Sequence, residues 1–214
     1  MTFARTAAVL ALLAVGQSAQ AVELYTGIGV PGVMLGVAQP LGPLFGVRAD
    51  YMTFGKRDGR STEEGITYDA TLKTGRTALL ADWFPFGGSF RFSGGVTTNQ
   101  HKIDLLATGA SGSLTIGNTT YTTTAQDQFR VFVKFPTTTP YIGLGWGHHG
   151  GAGLRFTADI GASIGKAKVS YELSGPNANA IAQADIDAEL AQLRDGVGKV
   201  RVVPQLSVGL GYSF

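Results

Sequence analysis

KVRVVPQLSVGLGYSF, residues 199–214, alternates along its whole length. Val200, Val202, Pro204, Leu206, Val208, Leu210, Tyr212 and Phe214 share one parity. Lys199, Arg201, Val203, Gln205, Ser207, Gly209, Gly211 and Ser213 share the other. Successive strand side chains point to opposite faces, so this segment is a strand with one apolar face and one small or polar face. The apolar face continues to the last residue, which suits a strand whose greasy side meets lipid rather than a protein core.

The same period of two recurs upstream. Phe45, Val47, Ala49 and Tyr51 oppose Gly46, Arg48, Asp50 and Met52. Phe90, Phe92 and Val96 oppose Arg91, Ser93, Thr97 and Asn99. Phe129, Val131, Val133 and Phe135 oppose Gln128, Arg130, Phe132 and Lys134. Leu154, Phe156, Ala158, Ile160, Ala162 and Ile164 oppose Arg155, Thr157, Asp159, Gly161, Ser163 and Gly165. Ile142, Leu144 and Trp146 alternate with glycines. Turn-forming clusters separate these runs, at 40–43, 56–65, 86–89, 136–140 and 148–151. Parity slips at Thr74-Gly75, which reads as a bulge, and at Pro31-Gly32, which reads as a bulge or a tight turn.

A soluble barrel turns its apolar face inward, whereas a membrane barrel turns it outward and keeps a polar interior. Here the second face carries Arg48, Asp50, Arg76, Asp82, Arg91, Arg130, Lys134, Arg155, Asp159 and Arg201 in mid-strand. Aromatic residues gather at strand ends: Trp83, Phe84, Phe86, Phe90, Tyr212 and Phe214. The expected fold is all-β, a closed antiparallel up-and-down transmembrane β-barrel, because an open sheet edge would leave backbone groups unpaired in hydrocarbon. Eight strands are expected, over 24–39, 44–56, 66–85, 90–103, 127–135, 140–147, 153–165 and 199–214. Splitting the first at Pro31-Gly32 and adding KAKVSYEL (166–173) gives ten, and puts the longer connections on one side, as outer-membrane barrels have them. One helix is expected before the last strand, where Ile186, Leu190 and Leu193 fall at helical spacing and Gly196 can end it. A small hairpin around Gly117-Asn118 fits the polar stretch 107–128.

The other end of the chain, MTFARTAAVLALLAVGQSAQA, has Arg5, an apolar run from Ala7 to Val15 and the small-residue pair Ala19 and Ala21. That is a secretory signal layout with cleavage expected before Val22. Residues 1–21 are then the signal and 22–214 a single barrel domain. The exported chain carries 16 basic and 15 acidic residues, since Arg5 leaves with the signal, and this near-neutral balance argues against nucleic acid as a partner. Cysteine is absent, which removes disulfides and thiolate chemistry.

The alternate apolar positions closing the chain, Leu206, Val208, Leu210, Tyr212 and Phe214, resemble the C-terminal assembly signal of bacterial outer-membrane β-barrels. LADWFPFGGSFRFSGG (80–95) and PYIGLGWG (140–147) resemble small outer-membrane proteins of the OmpA/OmpW-like superfamily. The resemblance implies a bacterial outer-membrane location and a monomer. Its implied partners are outer-membrane lipid and lipopolysaccharide, the barrel-assembly machinery and periplasmic chaperones. It leaves activity open, because one fold hosts many functions.

Seven cations facing three acids in the lumen point to a narrow passive channel favouring small anionic solutes, or to a salt-bridged plug in a closed barrel with a structural or adhesin-like role. No cofactor or metal site is expected: His101, His148 and His149 have no further ligands at metal spacing and read as exposed loop residues. A lipid-modifying enzyme is disfavoured, because GWGHHGGAG (145–153) offers histidine without serine, and Ser93, Ser163 and Ser207 read as small lumen fillers.

Overall fold

A computed structural model describes residues 22–63, 66–108, 112–196 and 201–214. The expected signal, with Ala19 and Ala21, lies outside the described residues. The strands are β1 (Glu23–Val30), β2 (Gly32–Pro40), β3 (Phe45–Glu63), β4 (Ile66–Trp83), β5 (Phe90–Asn99), β6 (Lys102–Thr108), β7 (Ser113–Ile116), β8 (Thr119–Thr122), β9 (Gln128–Lys134), β10 (Thr138–Trp146), β11 (Gly153–Ile164), β12 (Lys168–Ser174) and β13 (Val202–Ser213). A 14-residue helix, α1 (Gln183–Gly196), precedes β13.

Eight antiparallel strands close a ring in the order β1-β2-β3-β4-β5-β10-β11-β13 and back to β1. The seam joins β1 to β13, with Glu23 opposite Ser213 and Val30 opposite Leu206. Alternation sorts the side chains. Ile28, Leu35, Leu79, Ile142, Phe156, Leu206 and Leu210 are exposed on the outside, and Leu154 is 71% exposed. Arg48, Asp82, Arg91, Thr97, Thr157 and Ser163 are buried inside. A continuous apolar exterior of this kind is foreign to water-soluble monomers and suits hydrocarbon.

The expected strand boundaries need three corrections. First, Pro31 is a tight turn rather than a bulge: Gly29 pairs with Gly32, so 24–39 is two strands. Second, 127–135 and 140–147 are not neighbouring ring strands. They are the outer and inner parts of one bent strand, β9 and β10, interrupted at Pro136. β5 and β6 form a second such strand and β11 and β12 a third. Backbone pairing is stitched through the bends, with Asn99 N donating to Thr137 O (2.6 Å), Gln100 N to Gly75 O (2.8 Å) and Phe135 N to His101 O (3.2 Å). KAKVSYEL does contain a strand, yet the ring stays at eight. Third, the slip near Thr74-Gly75 is a bulge on the opposite strand. Met52 pairs with Arg76 and Gly55 with Thr74, leaving Thr53 and Phe54 against the single residue Gly75. Thr53 Oγ1 donates to Thr74 O (2.6 Å), and Gly55 sits at φ 73°, where a Cβ is disfavoured.

The bent strands carry the sheet beyond the ring. β3 and β4 project past the bulge, and β6, β9 and β12 continue outward from β4 to make a five-stranded extension, β3-β4-β6-β9-β12. Three short connections (41–44, 84–89 and 147–152) lie at the other end, hereafter the turn end, while the tight turn at Pro31 lies at the extension end. Phe129 and Val131, which the alternation alone would turn to lipid, instead join Ala107, Leu114, Ile116, Ile186 and Leu190 in a buried cluster. The β7-β8 hairpin, turning at Gly117-Asn118, and α1 form the lid of that cluster. Tyr121 OH donates to Asp185 Oδ2 at 2.5 Å, and Gly117 N donates to Glu189 Oε2 at 3.0 Å.

Candidate functional site: the filled lumen

Polar side chains occupy the lumen in tiers. At the turn end, Glu23 on β1 meets His148 Nδ1 at 2.7 Å and accepts from Ser213 Oγ at 3.4 Å. Arg155 Nε on β11 lies 3.7 Å from the same carboxylate, and its terminal nitrogens donate to the carbonyls of His149 and Gly151. The Tyr25 ring packs on His148 with 4.3 Å between centroids.

The next tier is the densest. Arg48 Nε lies 2.9 Å from Asp82 Oδ2, and its Nη2 lies 2.8 Å from Asp159 Oδ1. Arg91 Nη2 lies 2.6 Å from Asp159 Oδ1, and its Nη1 donates to Gly147 O at 3.0 Å. Ser93 Oγ donates to Asp82 Oδ1 at 2.5 Å and accepts from Arg48 Nη2 at 3.0 Å. Two guanidinium forks and two carboxylates thus share one buried site. Arginine suits it because its planar donors satisfy several oxygens at once.

Above it, Arg76 Nη2 pairs with Asp50 Oδ1 at 2.9 Å, and Tyr25 OH donates to Asp50 Oδ2 at 3.1 Å. Arg76 also lies 5.6 Å from the centre of the Tyr141 ring. A neutral tier follows: Thr97 Oγ1 lies 2.8 Å from Thr139 Oγ1 and 2.9 Å from Ser163 Oγ. Gln205 Nε2 donates to Ser163 Oγ at 2.7 Å.

Glycines on the inner face supply the space. A Cβ on Gly36 would lie 2.3 Å from Tyr25 Cζ, and one on Gly161 would lie 2.2 Å from the Tyr141 hydroxyl. A Cβ on Gly211 would lie 2.0 Å from Glu23 Oε1. The room left by small lumen residues is occupied by Tyr25, Tyr141 and Glu23.

Six expected lumen residues, Arg48, Asp50, Arg76, Asp82, Arg91 and Asp159, are buried within the ring, and Arg155 reaches it from the turn end. Three others require correction. Arg130 and Lys134 lie on β9, outside the ring. Arg130 Nε is 3.8 Å from Asp104 Oδ1, and Lys134 is exposed. Arg201 is exposed just before β13. Alternation continues unbroken through the bends, so parity alone does not tell a lumen wall from the extension above it. The histidine reading is corrected too. His148 is 3% exposed, and the half-buried His149 ring packs at a tilt against Phe84 with 4.8 Å between centroids.

Glu23 and Tyr25 escaped the sequence reading because they stand at the start of the first strand, far from the other charges in the chain. Adding Glu23 and removing the three misplaced cations leaves Arg48, Arg76, Arg91 and Arg155 facing Glu23, Asp50, Asp82 and Asp159. The lumen charge is balanced, not cationic.

An eight-stranded ring, apolar outside and salt-bridged inside, decides the type. The chain is a small outer-membrane-type β-barrel. No protein-family model and no curated protein matches it. Solved structures match it in fold. The crystal structure of Acinetobacter baumannii CarO2 aligns with TM-score 0.56 at 17% identity, over 91% of this chain and 99% of that one. Acinetobacter baumannii CarO gives TM-score 0.54 at 17% identity, over 91% and 97%. At this identity the likeness is one of fold. Leu206, Val208, Leu210, Tyr212 and Phe214 form the exposed outer face of β13 and its end.

Proposed function

We propose that the protein is an integral protein of the bacterial outer membrane whose barrel is closed at rest, with its activity carried by the extension above the ring. The turn end faces the periplasm in this reading, since outer-membrane barrels keep their short connections there. The observation that carries it is the filled lumen: Gly36, Gly161 and Gly211 are covered by Tyr25, Tyr141 and Glu23, and the charges between them are matched one for one. An eight-stranded barrel is just wide enough for side chains to fill it. The anion-leaning channel loses its basis with Arg130, Lys134 and Arg201 outside the ring. The role is also non-enzymatic: Ser93 is committed to Asp82 and Arg48, and His148 to Glu23, so neither is poised as half of a nucleophile–base pair.

The test is conductance of the chain from Val22, refolded and inserted in a planar bilayer under a salt gradient. A silent bilayer is expected. Discrete steps would restore the channel reading. Their reversal potential would then show whether any anion preference survives a balanced lining.

A further inference from the structure

The register of the extension brings five lysines into one row. Lys56 pairs with Lys73, Lys73 with Lys102, Lys102 with Lys134, and Lys134 with Lys168, so each of the five extension strands contributes one. Directly opposed residues share a face. At about 4.8 Å per strand the row is roughly 19 Å long.

Its face is also defined. Ile103, Val133 and Val169, each next to a row lysine in sequence, turn to the opposite face and pack in the clusters there. The lysines therefore point away from the core, on the face that continues the barrel exterior. On β4, Lys73 has the parity of Leu79 and Trp83, which face lipid. The row stands at the level where the sheet leaves the ring, immediately beyond the bends, and Lys166 adds a further exposed cation beside it.

Like charges directly opposite one another on a sheet are destabilising, and here four such pairs are consecutive. Intramolecular relief is partial. Lys56 Nζ lies 3.1 Å from Asp58, Lys102 Nζ lies 3.6 Å from Asp104, and Lys102 and Lys134 flank the Phe132 ring at 4.6 and 5.5 Å. Lys73, Lys134 and Lys168 have no carboxylate within 4.0 Å among the described residues. A row of cations set directly above a lipid-facing belt complements an anionic headgroup layer.

We infer that this lysine row docks the phosphate groups of an outer-leaflet lipid, an inference that rests on the outer-membrane reading above. The chain from Val22 would be refolded into phosphatidylcholine vesicles that are plain, or contain bisphosphorylated lipid A, or contain its dephosphorylated form. Thermal unfolding of the inserted protein is the readout. Lipid A should raise the midpoint and its dephosphorylated form should not. The K73Q/K134Q/K168Q variant should lose more than half of the rise. Single variants K73Q and K168Q, each read against its own midpoint in plain vesicles, serve if the triple variant does not insert. Equal midpoints with and without lipid A in inserted wild type, or an undiminished rise in the variants, would overturn the inference. A full rise produced by soluble pyrophosphate on plain vesicles would overturn the lipid source in favour of a free anion. Failure of wild type to insert at all would instead overturn the membrane reading beneath it.

Discussion

Glu23 and His148, 125 residues apart, meet at 2.7 Å and tie the start of the first strand to the turn between β10 and β11. Burial holds the His148 imidazole below its ordinary value near 6.5, against the opposing pull of the Glu23 carboxylate. A depressed folded-state value means that the unfolded chain binds the proton first as pH falls. The stability contributed by neutral His148 is therefore present above about pH 6.5 and declines below it, down to the folded-state value. Urea midpoints in detergent should fall between pH 7 and 5, and H148Q should flatten that slope. A slope unchanged in H148Q would assign the pH dependence to other groups.

Arg48 bridges Asp82 and Asp159, and both carboxylates lose their shortest guanidinium contact or a shared one when it is removed. R48M should cost about 3–5 kcal/mol, because it strands buried negative charge. Reversible unfolding in micelles gives the number. Conductance appearing in R48M, with wild type silent, would show that the plug is what closes the barrel.

Gly36 lies beneath the Tyr25 ring, with no room for a methyl group. G36A should cost about 1–3 kcal/mol by overpacking. In a Tyr25→Ala background the same substitution should be nearly neutral. A double-mutant cycle measures this, and additivity would refute the contact.

Leu190 is buried in the cluster beneath α1. L190A should cost the extension about 2–5 kcal/mol, as other buried Leu→Ala changes do, while leaving the ring folded. Hydrogen exchange should accelerate in β7, β8 and α1 and remain slow in β1, β2 and β13. Acceleration throughout the ring would mean that the two parts unfold as one.

Much of the ring was legible from parity. Arg48 and Asp50 against Val47 and Tyr51, or Arg91 and Ser93 against Phe92, assign both faces of a strand without reference to any other part of the chain. What covers a face is not local information. Phe129 and Val131 alternate as the lipid-facing residues do, yet Ile186, some 55 residues later, covers them. His148 was misread for a similar reason. Flanking glycines mark a turn, but the partner that draws the ring inward, Glu23, lies at the far end of the chain. The lysine row was equally invisible, because each lysine is unremarkable in its own strand and only the register aligns all five.

The bends at Pro136 and near Gly165 have a consequence for how the molecule can vary. Three walls of the barrel run into the extension with pairing resumed past each bend, so the extension is a continuation of the sheet rather than a set of tethered loops. A single-residue insertion anywhere along those walls would exchange greasy and charged faces over everything beyond it. Length variation therefore belongs in connections outside the ladder, such as the stretch 175–182 between β12 and α1. Tags, epitopes and natural insertions alike should be tolerated there.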